Sequence, residues 1–170
     1  MENLLYILGQ AFGILAMVLG FISFQQKTQL GIIAFQCATG FAFSAHYFLI
    51  GAMTAVVLNL LSALICICLG IRNKMNSNSK ITTVICVLLI VIAGILSWDN
   101  IFSLFLILGL VVVNVSLSFT DPQHTRIAVF FKTPLCLTYN IAVLSIGGII
   151  FECVVLISAI IGLIRNRSAK

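Results

Sequence analysis

The sequence predicts an all-α membrane protein in which seven transmembrane helices form two parallel three-helix repeats joined by a linker helix, a 3+1+3 plan within one membrane domain spanning 1–170. Three observations predict it: long apolar runs almost free of charge, basic residues gathered at alternate ends of those runs, and a weak self-similarity between the two halves.

Hydrophobic residues make up 62% of the chain and charged residues 8%, with a mean hydropathy of +1.24, whereas about a quarter of the residues of a soluble domain carry charge. Lipid must therefore be the main solvent. In lipid only helices or closed barrels satisfy every backbone group. Runs such as Val84 to Gly94 and Leu104 to Val113 are apolar all round and do not alternate as barrel strands do, which selects helices. At about 20 residues per span, seven crossings nearly exhaust the chain, so no soluble catalytic or nucleic-acid-binding domain is expected.

The helices are read at 4–23, 30–49, 52–71, 81–97, 101–119, 127–144 and 149–164. Residues 28–71 carry no charge over about twice the length of a span, so this stretch must turn back, and Gly51 is the expected turn. Residues 73–79 form the polar break between the first repeat (4–74) and the linker helix (81–97), and the second repeat is 101–167. The amino terminus carries Glu2 where a secretory signal has basic residues, and no small-residue cleavage site follows; it is read as a retained first helix.

With the amino terminus outside, Lys27, the group Arg72, Lys74 and Lys80, the pair Arg126 and Lys132, and the group Arg165, Arg167 and Lys170 share one side. These are all nine basic residues. Glu2, Gly51, Asp99 and a turn at Ser145-Ile146-Gly147-Gly148 take the other. The positive-inside rule then favours seven crossings with the amino terminus outside and the carboxyl terminus in the cytoplasm. Only about 32 residues separate Lys132 from Arg165, which is short for two spans. Snorkelling of Lys132 to the interface relieves this and leaves Pro134 inside the sixth helix; alternatively Pro134 marks the first turn of a later-starting helix.

The self-similarity pairs Ser23-Phe24-Gln25-Gln26 with Ser118-Phe119 and the following Thr120-Asp121-Pro122-Gln123. It also pairs Gly51 with Gly147, Ser62 with Ser158, and Ile71-Arg72-Asn73-Lys74 with Ile164-Arg165-Asn166-Arg167, at offsets running from 93 to 96. Two three-helix units separated by one helix must point the same way, with a solute route expected between them.

The segments Gly20 to Lys27, His46 to Gly51, and Asn59 followed by a basic helix end are similar to the SWEET, SemiSWEET and PQ-loop transporters. The whole chain resembles the bacterial inner membrane proteins of the YgjV family, on His46, Gly51 and Asn59 in the first half and Asn140, Ser145 to Gly148 and Glu152 in the second. The nearer resemblance implies a seven-helix bundle in the cytoplasmic membrane. Transport is implied only by the more distant one. The Pro-Gln pattern of those transporters is met at Pro122-Gln123, whereas Gln26 lacks a preceding proline; these three residues are the candidate hinge.

Four residues are candidates for contact with a small polar solute. Glu152 is the carboxylate placed within a span, where charge is costly, so it is either functional or hydrated near the outer interface. Asn59 lies at similar depth in the equivalent helix and matches an Asn that the third helix of each SWEET-like repeat contributes to a central site; the other reading is a hydrogen bond between helices. His46 and Asn140, beside Tyr47 and Tyr139, are read as an outer gate or as headgroup-level residues. Asn114, Gln36 and Gln10 are weaker candidates.

No metalloprotease, serine-hydrolase, Walker or dinucleotide motif occurs. No enzyme activity, cofactor, metal or nucleic-acid partner is expected. The six cysteines fall in apolar runs and are read as packing residues; Cys66 and Cys68 point about 200° apart on a helix and cannot share a metal. The expectation is a small-solute transporter or facilitator in the lipid bilayer, the alternative a non-transporting receptor or assembly partner with a close-packed centre.

Overall fold

A computed structural model of the chain describes residues 2–75 and 80–167, with side chains over 7–75 and 80–165. Seven helices form: α1 (Glu2–Gln25), α2 (Gln29–Ile50), α3 (Met53–Lys74), α4 (Lys80–Leu96), α5 (Ser103–Leu117), α6 (Pro122–Ala142) and α7 (Ile146–Arg167). No strand occurs among the described residues. Part of the polar break expected at 73–79 lies outside the described residues.

Local chemistry sets each boundary. Thr28 caps α2, its hydroxyl accepting from the Gly31 amide at 3.1 Å. Gly51 ends α2 in the left-handed conformation at φ 80°, so the predicted turn is where it was expected. Asp121 caps α6 by accepting from the Gln123 amide at 2.9 Å, and Pro122 supplies a pre-set φ and no surplus donor at the first helical position. The sixth helix therefore starts five residues before the expected 127. Pro134 lies within α6, and the reading of it as a first turn does not hold.

The turn before α7 is also displaced. Leu144 adopts φ 54°, and Ser145 caps α7 by accepting from the Gly148 amide at 3.1 Å. Gly147 and Gly148 thus belong to the helix rather than to a turn. Their missing side chains admit neighbours: a Cβ on Gly147 would press on the His46 ring, and one on Gly148 on the Asn140 amide.

Six helices close a ring in the order α1, α2, α3, α5, α6, α7 and back to α1, and α4 lies outside it against α3 and α5. Helix α4 buries Cys86, Ile90 and Gly94, a single stripe at four-residue spacing, and leaves Val84, Ile85, Leu88, Leu89, Ile92 and Ile95 exposed on the outer face. Four helices (α1, α2, α3 and α7) are long and apolar enough to cross a membrane. Helices α4 and α5, at 17 and 15 residues, extend about 25 and 22 Å, less than the roughly 30 Å hydrocarbon core.

Arg72, Arg126 and Arg165 collect at one end of the ring, where they bind carbonyls at helix C-termini. Arg126 donates to the carbonyls of Phe24 (3.0 Å) and Gln26 (2.5 Å), and Arg165 to that of Gln25 (2.5 Å). Arg72 donates to the carbonyl of Ser118, and the Gln29 amide to those of Ser116 (3.4 Å) and Leu117 (3.2 Å). Arg72 and Arg165 therefore lie at the same end of the bundle. Thr54 marks the opposite end, its amide donating to Asp99 at 2.9 Å. Cationic groups on helix C-termini complement the negative end of the helix dipole.

Candidate functional site

The centre of the ring holds a cavity of about 50 Å³, lined by Gln36, Thr39, Phe43 and Tyr47 of α2, Asn59, Ser62 and Cys66 of α3, and Lys132, Cys136 and Asn140 of α6. Phe151, Glu152 and Val155 of α7 close it, together with Phe24 of α1 and an apolar wall of α5. At roughly 10–15 Å³ per water, this space takes about three to five water molecules or one very small solute. Asn59 and Glu152, expected to share a depth, each stand six residues after the start of their helix and both line the cavity.

Glu152 is buried and ion-paired. Its Oε1 accepts from Lys132 Nζ at 2.5 Å and its Oε2 from the Thr133 hydroxyl at 3.2 Å. The Lys132 ammonium also lies 4.9 Å from the centre of the Phe151 ring, within range of a cation–π attraction. Glu152 is accordingly not hydrated at an outer interface. The expected snorkelling of Lys132 is overturned: α6 points the side chain inward, where a carboxylate meets it, so its charge is neutralised without reaching the headgroups. An isolated charge at this depth would be expelled or neutralised, whereas a hydrogen-bonded pair is tolerated.

The remaining polar groups divide into bonded and open atoms. Tyr47 donates to Asn140 Oδ1 at 2.5 Å, joining α2 to α6 at the cavity wall. Asn59 turns its amide nitrogen to the Ala55 carbonyl at 2.8 Å, and Gln36 turns its own to the Ser23 hydroxyl at 3.2 Å. Ser23 in turn donates to the Ile32 carbonyl, so its oxygen is the acceptor for Gln36 and the amide orientation is fixed. The amide oxygens of Asn59 and Gln36 accept no hydrogen bond among the described residues.

His46 is fully buried but is not among the cavity-lining residues. Its Nδ1 lies 2.9 Å from the Gly9 carbonyl, which can only accept, so Nδ1 carries the proton. Nε2 then accepts from the Ser145 hydroxyl at 3.0 Å. Gly13 and Gly147 flank the ring, so His46 ties α1, α2 and the start of α7 together.

The candidate hinge residues meet at the basic end. Arg126 donates to Gln123 Oε1 at 3.1 Å as well as to the Gln26 carbonyl, so one guanidinium joins the Pro122-Gln123 segment to the Gln25-Gln26 segment. Lys132 and Arg126 were missed as site residues because both were read as interface charges. The available signal was Lys132 and Glu152, opposite charges facing each other from consecutive apolar helices.

Structural landmarks of the two halves recur at a single offset of 93 residues. Thr28 and Asp121 are helix caps, Gly51 and Leu144 take positive φ, and α3 and α7 begin at Met53 and Ile146. Six pairs at this spacing line the cavity together: Phe24 and Leu117, Thr39 and Lys132, Phe43 and Cys136, Tyr47 and Asn140, Asn59 and Glu152, Ser62 and Val155. The offset of 96 read for Gly51 and Gly147 gives way to this register, because Leu144 and not Gly147 makes the turn.

Neither a curated protein nor a solved structure matches the chain. A family model described as a bacterial inner membrane protein does match, over nearly the whole sequence, in agreement with a bundle whose outer faces are apolar and whose polar groups turn inward. The chain belongs to the Imp-YgjV family of bacterial inner membrane proteins, whose model matches residues 7–170.

Proposed function

We propose that this inner membrane protein is a small-solute transporter or facilitator whose site lies between two parallel three-helix repeats, α1–α3 and α5–α7, joined by α4. The observation that carries the reading is the central cavity, which Asn59, Asn140 and the Lys132–Glu152 pair reach from both halves. A purely structural bundle gains nothing from keeping polar groups around a void, since each must be satisfied or hydrated there. The ring order maps onto itself when the two triplets are exchanged, and so do the arginine caps: Arg165 on the end of α1 answers Arg72 on the end of α5. Both support a twofold relation about an axis along the membrane normal, the setting in which parallel-repeat transporters hold their site.

Seven crossings with the amino terminus outside follow from this plan, the short α4 and α5 being met by local thinning of the bilayer. The basic end of the ring then faces the cytoplasm. In this reading Gln26, Pro122 and Gln123, held together by Arg126, form the closed cytoplasmic gate, and His46 with Ser145 fixes the opposite end. The site carries no catalytic role.

The test is uptake into liposomes containing the purified full chain, run over a panel of radiolabelled solutes of up to about four heavy atoms, with Asn59→Leu as comparison. Saturable flux that falls at least about tenfold in N59L supports transport, a change corresponding to loss of about 1.4 kcal/mol of site interaction. Absence of flux for every solute class, with stable binding of a membrane partner instead, would replace it by the receptor or assembly reading.

A further inference from the structure

The charge and hydrogen-bond pattern of the cavity names a class of solute. Lys132 Nζ sits against a carboxylate oxygen at 2.5 Å and over an aromatic face at 4.9 Å. A carboxylate and a ring face are the two groups that recognise an ammonium ion, and here a tethered ammonium already fills the seat. The ring belongs to an aromatic cluster: Phe151 meets Phe43 edge-on at 4.5 Å, and Phe43 stacks on Tyr47 at 5.5 Å. Opposite, Thr39 and Asn59 stand where the other half has Lys132 and Glu152, so that side of the cavity is neutral. It offers the amide oxygens of Asn59 and Gln36, whose nitrogens are bonded elsewhere. Acceptors, a carboxylate and aromatic faces suit a cation with several N–H donors and poorly suit an anion.

We infer that the central cavity binds a small primary ammonium ion, which displaces the Lys132 ammonium from Glu152 and drives one proton off Lys132. The inference rests on the transport reading for its purpose, though not for its geometry. Charge balance dictates the step. When R–NH3⁺ enters, the Glu152–Lys132 contact breaks and a Glu152–ammonium contact forms. Lys132, left without a counter-ion in a low-dielectric cavity, gives one proton to cavity water, which carries it out. The cavity keeps its net charge, and the exchange is one ammonium ion for one proton. The other titratable groups on the cavity wall are the Tyr47 phenol on α2, the Cys66 thiol on α3 and the Cys136 thiol on α6; the lining residues of α1 and α5 bring none.

The experiment uses the full chain in lipid nanodiscs and the probes methylammonium chloride and sodium acetate. The thermal unfolding midpoint reads binding, and a pH indicator in weak buffer reads released protons. Expected for the wild type is a saturable rise with methylammonium, none with acetate, and one proton released per cation bound. Glu152→Gln removes the rise. Lys132→Met should bind methylammonium at least about tenfold more tightly, because a competitor tethered at millimolar or higher effective concentration is gone, and should release no proton. Should K132M not fold without ligand, the double variant K132M/E152Q, which leaves no unpaired charge, serves as the non-binding reference. Stabilisation by acetate in place of methylammonium, or an equal rise in the double variant, would overturn the inference. Flux of a neutral solute without methylammonium binding would overturn it and leave transport standing; methylammonium binding without flux of any solute would do the reverse.

Discussion

Lys132 and Glu152 bind each other at a depth where neither is stable alone. Removing one partner from a buried pair leaves an uncompensated charge at a cost of about 3–5 kcal/mol, whereas removing both costs far less. Lys132→Met and Glu152→Gln should therefore each lower stability by that order, and the double variant by less than either. A double-mutant cycle of unfolding in mixed micelles checks this, and additive single effects would show that the two charges are not coupled. Arg126 sets a second case. It is fully buried and donates to Phe24, Gln26 and Gln123, so Arg126→Met leaves two helix-end carbonyls without donors. The expected loss is about 3 kcal/mol, since hydrogen bonds to charged groups contribute about 1.5–3 kcal/mol each. Rescue by Arg126→Lys should be partial, because an ammonium lacks the planar fork that reaches Phe24 and Gln26 together. At this scale the sequence made Glu152 and Asn59 visible, as polar residues isolated in apolar runs. It concealed Lys132, because hydropathy reads a lysine near a helix end as an interface residue, and only the fold brings Glu152 within its reach.

Helix α4 differs from its neighbours in having one narrow contact stripe, and at Gly94 it packs closely on α5: a side chain there would collide with Ile107. Without a hydrophobic drive between helices in lipid, small residues that allow close packing carry such an interface. Gly94→Leu should peel α4 away and lower stability by about 1–3 kcal/mol, the usual cost of overpacking, while far-ultraviolet dichroism stays helical. Alkylation of Cys86 by a membrane-permeant maleimide, in a background without the other cysteines, should rise in parallel, since Cys86 is buried in the same stripe. Unchanged Cys86 labelling in G94L would place the α4 contact elsewhere. Seven apolar segments were legible along the chain because each run is bounded by charge or by a turn residue. The start of α6 was not, since Asp121, Pro122 and Arg126 were read with the preceding loop, and the carbonyls that Arg126 meets at the end of α1 are brought to it only by the fold. Nor was the start of α7: Gly147-Gly148 reads as a turn, but a glycine pair in a membrane helix also serves close packing, here against His46 and Asn140.

Across the whole molecule, the arginines gather at one end of the bundle. Arg72, Arg126 and Arg165 all bind carbonyls at one end of the ring, and the α1–α2 turn bearing Lys27 lies there too, between the Gln26 and Gln29 contacts. Trp98 belongs to the opposite end, in the loop whose Ser97 and Asp99 bind Thr54. If lysine and arginine excess marks the cytoplasmic face, a cysteine at position 98 should react with a membrane-impermeant maleimide in intact spheroplasts. A cysteine at position 27 should react only after the membrane is opened. Both tests need a background in which the six native cysteines are replaced, and both sites tolerate the change because Lys27 and Trp98 are exposed. The reverse pattern would invert the protein without disturbing the ring. Labelling of both positions from one side would do more damage. It would mean that α2, α3 and α4 together cross an even number of times, and the proposed axis relating Asn59 to Glu152 could not then run along the membrane normal. A site on that axis is reached equally from either half, which is why the orientation of two exposed loops bears on the chemistry of a cavity at the bundle centre.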